Sequence, residues 1–201
     1  MTFILGLTGS IGMGKSTTAA IFRSRGVPVH DADEAVHRLY RGRAAPLVEA
    51  EFPGTTVDGV VDRAKLGAKV IGHPDRMAAL ERLIHPLVRA DRDDLLARAR
   101  AAGAPLVVFD VPLLYETGAD KECDAVLVVT AAPEIQRERV LARPDMTPER
   151  FALIHVKQMP DAEKRRRADF IVDTGRGLAD AEAQVDAIIA SIAARTGETK
   201  D

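Results

Sequence analysis

Gly9-Ser10-Ile11-Gly12-Met13-Gly14-Lys15-Ser16 follows a short apolar run, Phe3–Leu7, and precedes a helical pattern. The stretch satisfies G-x-x-x-x-G-K-[ST] in the strand, loop and helix setting that the motif requires. Glycines let the backbone turn tightly, so successive N–H groups converge on phosphate oxygens, and the positive end of the following helix dipole adds to the attraction. Lys15 is expected to reach the β- and γ-phosphates of a nucleotide, and the Ser16 hydroxyl to be a ligand of the Mg²⁺ that bridges them. The nucleotide-binding residues expected from the motif are Ile11, Gly12, Met13, Gly14, Lys15, Ser16 and Thr17. The same glycines do not fall in G-x-G-x-x-G spacing, which argues against a nicotinamide enzyme.

Working outward from this loop, five strand candidates recur between longer helical patterns: Phe3–Leu7, Val27–His30, Leu106–Asp110, Ala125–Val129 and Phe170–Val172. That alternation predicts an α/β fold with a three-layer core on a five-stranded parallel sheet, and the mostly continuous apolar character suits strands covered on both faces. Leu178, Ala181, Val185, Ile188, Ile189 and Ile192 form one stripe at three- and four-residue spacing, so the last helix should pack on the sheet. The polar tail Thr196–Asp201 is expected to fray. Between the second and third strands lies an insertion read as helical, residues 34–104, with a helical face at Met77, Leu80, Ile84, Leu87 and Val88 after Pro74. A second insertion, residues 137–168, is locally basic, with nine Lys/Arg against five Asp/Glu in residues 137–167. The whole chain, 1–201, reads as a single domain carrying these two inserted subdomains.

The second strand runs into His30-Asp31-Ala32-Asp33 at the carboxyl edge of the sheet, where ligands of open α/β folds bind. If the backbone stays extended there, Asp31 and Asp33 face one site, where one carboxylate can accept the proton of an attacking hydroxyl and the other hold the magnesium shell. The alternative is that Asp31 or Asp33 caps the helix that begins near Ala32. The third strand closes on Asp110, as in a Walker B element, where the carboxylate would orient Mg²⁺ or its waters. Pro112-Leu113-Leu114-Tyr115-Glu116 follows at the same edge and is a candidate wall of an acceptor pocket. Arg139 and Arg143 are four residues apart on a helical segment, where planar guanidinium groups would neutralise charge on a transferring phosphoryl group and help exclude water. Pairing with Glu138 or Asp145 on a solvated helix is the other reading of these arginines.

Bulk composition narrows the class further. The apolar fraction is 46%, charges are interspersed, and no apolar run approaches the roughly 18 residues of a membrane span. The N-terminus shows no basic leader region, so a cytoplasmic protein with no membrane partner is expected. The lone Cys123 cannot form an internal disulfide. A formal charge of −2 and a single aromatic, Phe151, between Arg137 and Arg167 argue against a nucleic-acid partner. No N-K-x-D element supports a GTPase switch. Oligomeric state is not fixed by any of this, and a monomer is compatible with it.

Taken in order and spacing, these motifs resemble the dephospho-CoA kinase family of P-loop kinases over nearly the whole chain. The resemblance rests on Leu7–Thr17, Asp31-Ala32-Asp33, His85-Pro86, Pro112-Leu113-Leu114-Tyr115-Glu116, Gln136 with Arg139 and Arg143, and Gln158 with Glu163-Lys164-Arg165 and Ala168-Asp169. It implies an ATP-dependent kinase that, with Mg²⁺, transfers the γ-phosphate of ATP to the 3′-hydroxyl of dephospho-CoA. It further implies that Asp33, Lys15, Arg139 and Arg143 are catalytic, and that Asp33, His85, Pro112, Leu113, Leu114 and Glu116 meet the acceptor. Ser16, Asp31 and Asp110 would serve the metal. Residues 34–104 would form the CoA-binding region and 137–168 the lid. Another small-molecule or nucleotide kinase on the same core is the nearest rival. Three positions depart from the family pattern: Met13 replaces Ser, Ile154 replaces a lid Arg, and Thr174-Gly175 replaces an Asn-containing turn. Lys157 is a candidate for the charge missing at Ile154.

Overall fold

Parallel neighbours in a sheet need long crossovers, and the helices between successive apolar runs supply them. In the computed structural model, which describes residues 1–197, β1 (Phe3–Thr8) is the middle strand of a five-stranded sheet. Its order is β2 (Val29–Asp31), β5 (Leu106–Asp110), β1, β6 (Ala125–Thr130) and β7 (Phe170–Asp173). The pairings β1–β5, β1–β6 and β6–β7 are parallel. The expected second strand started at Val27, whereas β2 starts at Val29 because Pro28 has no N–H to give the ladder; its carbonyl still accepts from Val108 N at 2.9 Å. β7 is an edge strand, and its Ile171 is 45% exposed, unlike the fully buried Val107 and Val108.

The chain divides into two compact units, Met1–His30 with Arg98 onward, and Asp31–Ala97. In the first, α1 (Lys15–Ser24) contributes Ala19, Ile21 and Phe22 to the core around Leu5, Leu7 and Leu127. Helix α9 (Leu178–Gly197) adds Ala181, Val185, Ile188 and Ile192, as the sequence stripe requires. Leu178 opens that helix and is 57% exposed, so the stripe begins one turn later than its spacing implied. Because α9 extends through Gly197, only residues 198–201 of the expected frayed tail lie outside the described residues. A smaller cluster gathers Leu114, Tyr115, Val126 and Val128, with Met159 packed against it. Among the described residues, no helix is long and apolar enough to cross a membrane.

The second unit holds α2 (Ala32–Tyr40), α3 (Ala45–Glu51), α4 (Arg63–Val70) and most of α5 (Pro74–Ala101). Its core joins Leu39, Val48, Leu66, Leu80 and Ile84. The expectation of an insertion made of helices alone needs correction: β3 (Thr56–Val57) and β4 (Val60–Val61) form an antiparallel hairpin. Its turn is Asp58-Gly59, with φ of 51° and 75°, the left-handed pair that closes a two-residue hairpin.

Candidate active site

The register Leu7↔Asp110 places the end of β5 beside the end of β1, where the chain leaves the sheet into the glycine loop. Gly12 and Gly14 have φ of 80° and 89°, which L side chains rarely adopt. Space is also closed to them. A Cβ on Gly12 would meet Val140 Cγ2 at 2.5 Å and Gln136 O at 3.0 Å. Gly14 is the N-cap of α1, and among the described residues no side chain caps that helix, so its first N–H groups are left without an intrahelical or capping partner there. Uncapped donors at a positive helix end form an anion site.

Lys15 Nζ reaches Asp110 Oδ1 at 2.5 Å, and the Asp110 side chain is 1% exposed. The pair joins residues 95 positions apart and brings two of the expected site residues together. Ser16 and Thr17 are exposed in the first turn of α1. Ile11 is clamped from both sides: Gln136 Nε2 donates to its carbonyl at 2.7 Å, and its N–H donates to Gln158 Oε1 at 3.0 Å. Met13, which stands where the family pattern has Ser, is 3% exposed, and its Sδ accepts from Ala131 N at 3.1 Å.

Two of the departures from the family pattern meet in space. Thr174 Oγ1 donates to Met13 O at 2.9 Å, and it accepts from Arg139 Nη1 at 2.8 Å. Arg139 Nη2 donates to Thr174 O at 2.8 Å, so the guanidinium holds the turn after β7 against the glycine loop with two parallel bonds. Arg139 lies in α6 (Pro133–Leu141), but Arg143 does not share that helix face as expected. The helix is capped at Ala142, because Arg143 precedes Pro144 and the proline ring disfavours helical geometry there. Arg143 is exposed.

The acceptor candidates after β5 separate into different environments. Thr8 Oγ1 donates to Pro112 O at 3.0 Å, Leu113 is 39% exposed, and Leu114 is fully buried in the small cluster. The Glu116 main chain is open to solvent, but its side chain is only 17% exposed. Glu116 Oε1 accepts from Met159 N at 2.7 Å and lies 3.0 Å from Lys164 Nζ. Lys164, in α8 (Asp161–Arg167), is fully buried, and its ammonium satisfies hydrogen-bond geometry with no acceptor among the described residues. At 3.0 Å the contact is an ion pair. Burial works against ionisation of Glu116, yet the Met159 N–H and the Lys164 ammonium hold its carboxyl below the ordinary value of 4.5. The rest of the basic run pairs on its own helix, three arginines against two carboxylates: Arg165 with Asp161, and both Arg166 and Arg167 with Glu163.

In the second unit, Asp31 is the N-cap of α2, with Oδ1 accepting from Glu34 N at 3.0 Å. The helix begins at Ala32, so Asp33 lies in its first turn and the extended i, i+2 alignment expected for the two carboxylates does not form. Asp33 is exposed. His85 sits with Pro86, Arg89, Ala90 and Asp93 around a recess of about 300 Å³ on α5. Gln136, Gln158, Thr174 and Lys164 have structural partners that spacing did not indicate. Their signal was membership in a family pattern, or departure from one, with no geometry attached.

Comparison with known proteins gives a consistent result. The family model described as dephospho-CoA kinase matches residues 3–180. A dephospho-CoA kinase of Mesorhizobium japonicum is 64% identical over 194 residues, covering 96% of this chain and 98% of that protein. A crystal structure of a Thermus thermophilus protein superimposes with a TM-score of 0.82 at 37% identity, covering 94% of this chain and 97% of the other. A Campylobacter jejuni dephospho-CoA kinase shares the fold, with a TM-score of 0.67 at 23% identity over 95% of this chain and 97% of that one.

Proposed function

The chain belongs to the dephospho-CoA kinase family, and from that premise we propose how its own residues carry out the transfer. It is an ATP-dependent phosphotransferase that moves the γ-phosphate of ATP to the 3′-hydroxyl of dephospho-CoA, giving CoA and ADP. The observation that carries the residue assignment is the uncapped start of α1 with Lys15 beside the buried Asp110. Backbone N–H groups of Gly12 and of Gly14 to Thr17 cradle the phosphates, the Ile11 N–H being held by Gln158, and Lys15 exchanges Asp110 for the β- and γ-phosphate oxygens when nucleotide binds.

Asp33 is the base. As the 3′-oxygen forms its bond to the γ-phosphorus, its proton passes to the Asp33 carboxylate, and the bond to the β-phosphate oxygen breaks to release ADP. Arg143 and Arg139 supply cationic charge around the transferring group, Arg139 from its anchored position on Thr174. Pro112 and Leu113, with His85 on α5, contribute to recognition of the acceptor, while Leu114 and Glu116 support that wall from behind.

Mg²⁺ fits the available donors. The Ser16 hydroxyl and the Asp110 carboxylate are hard oxygen donors that would hold the ion, and Asp31 is proposed as a second carboxylate for it. Among the described residues no cluster of three or more His, Cys, Asp or Glu side chains is placed to hold a metal by itself. An Mg²⁺ held by these residues would take its further oxygens from substrate phosphates and would neutralise part of their charge. The chain is proposed to act in the cytoplasm. The test is to incubate the protein with ATP, Mg²⁺ and dephospho-CoA, with a panel of other hydroxyl acceptors in parallel. CoA and ADP should form in equal amounts, and a folded Lys15→Ala variant should form neither. Near-normal turnover by that variant would overturn the phosphate-loop assignment.

A further inference from the structure

The two peptide groups that flank the Ile11 Cα are each held, and the two holders differ in kind. Gln136 Nε2, which donates to the Ile11 carbonyl at 2.7 Å, belongs to the buried face of α6. Gln158 Oε1, which accepts the Ile11 N–H at 3.0 Å, belongs to the connector between α7 (Pro148–Val156) and α8, 147 residues further along the chain. That connector is fixed independently of the loop. The next residue, Met159, gives its N–H to Glu116 Oε1 at 2.7 Å, and its side chain packs on the Leu114 and Tyr115 cluster. Gln158 is therefore presented to Ile11 from an anchored position. Its contribution at Ile11 is a neutral acceptor oxygen, which brings no formal negative charge toward an incoming phosphate.

We propose that Gln158 is a positioning residue for the nucleotide. By holding the Ile11 N–H it sets the plane of the Ser10–Ile11 peptide at the entry to the loop, and with it the direction in which the N–H groups that follow converge, before phosphate arrives. This rests on the phosphate-loop reading above. A cradle ordered in advance spends less of its interaction energy on ordering itself, so loss of the latch should weaken nucleotide binding and leave the acceptor side alone.

Gln158→Met keeps the length of the side chain and removes the acceptor. It should raise KM for ATP and Kd for ADP about 2- to 12-fold, the net worth of one neutral hydrogen bond. KM for dephospho-CoA and kcat should stay at the parent values while the thermal midpoint falls by no more than about 4 °C, the stability worth of the same bond, a split between the two substrates that a purely structural role would not produce. Gln158→Glu keeps an acceptor but sets a negative charge beside the phosphates, so its KM for ATP should also rise, by a factor that shrinks as salt is added. An unchanged KM for ATP in either variant would overturn the proposal. So would a fall in KM, which would make Gln158 a cap that competes with nucleotide, or an equal rise for both substrates with a lower midpoint. Lys15→Ala in parallel separates the two readings: if it retains turnover, the phosphate-loop reading itself fails. If it is inactive while Gln158→Met matches the parent, only the role of Gln158 falls.

Discussion

Removing the charge at Glu116 should destabilise the protein more than removing its partner's charge at Lys164. The two ends of this ion pair are not equivalent: the Lys164 side chain is fully buried, whereas the Glu116 side chain is 17% exposed and also accepts the Met159 N–H. In Glu116→Gln the amide oxygen can still accept from Met159, but the ammonium is left in the interior without a counter-charge, which costs about 3 kcal/mol, the low end for breaking a buried pair. In Lys164→Met the apolar stem is retained and the buried cation disappears, leaving a carboxylate that keeps one N–H donor and some water, for a loss of about 1 kcal/mol. For a chain of this size the first change corresponds to a fall in Tm of about 6–12 °C and the second to about 2–4 °C. The double variant should be no less stable than Glu116→Gln alone, since the charge stranded by the first change is removed by the second. pH provides an internal check. The Glu116 carboxyl lies below its ordinary value of 4.5 in the folded protein, so its contribution is present above pH 4.5 and is lost as pH falls through the folded value. The stability gap between the parent and Glu116→Gln should therefore close in acid. Urea denaturation at several pH values measures all of this, and a Lys164→Met loss equal to or larger than that of Glu116→Gln at pH 7 would refute the reasoning.

Asp33→Asn should lower turnover by roughly 10²–10⁴-fold at any Mg²⁺ concentration, because it removes the proton acceptor. Asp31→Asn preserves the cap on α2, since Asn caps as well as Asp, and part of its defect should recover as Mg²⁺ is raised; a magnesium series on both variants that rescued Asp33→Asn alone would reverse the two roles. Arg143→Lys should lower kcat by up to about 10²-fold with little change in Kd for ATP, as expected of a group that acts on transition-state charge. Parent-like turnover at saturating substrates would remove it from the site. Gly12→Ala should cost about 2–5 kcal/mol in chemical denaturation, combining left-handed strain with overpacking against Val140 and the Gln136 carbonyl. A loss well under 1 kcal/mol would mean that the loop relaxes around a side chain more easily than its contacts indicate.

Local signals in the chain determined most of the scaffold. The glycine loop, the apolar strands and the α9 stripe are patterns over a few residues, and sheet order and burial place them where their periodicities imply. The hairpin at Asp58-Gly59 was equally local and was missed because its strands are only two residues each, too short for an alternation to register. The arginine spacing misled for another local reason, the proline at 144, which ends the helical geometry before Arg143. Tertiary structure alone decided the partners. Lys15 meets Asp110, Ile11 meets Gln158, and Thr174 meets Met13, because strand order brings residues 95 to 161 positions apart to one sheet edge. The same holds for the basic run of α8. Its sequence shows four adjacent cations, but which one turns inward depends on a carboxylate waiting at position 116, since an ammonium enters an apolar interior only where an opposite charge is already in place.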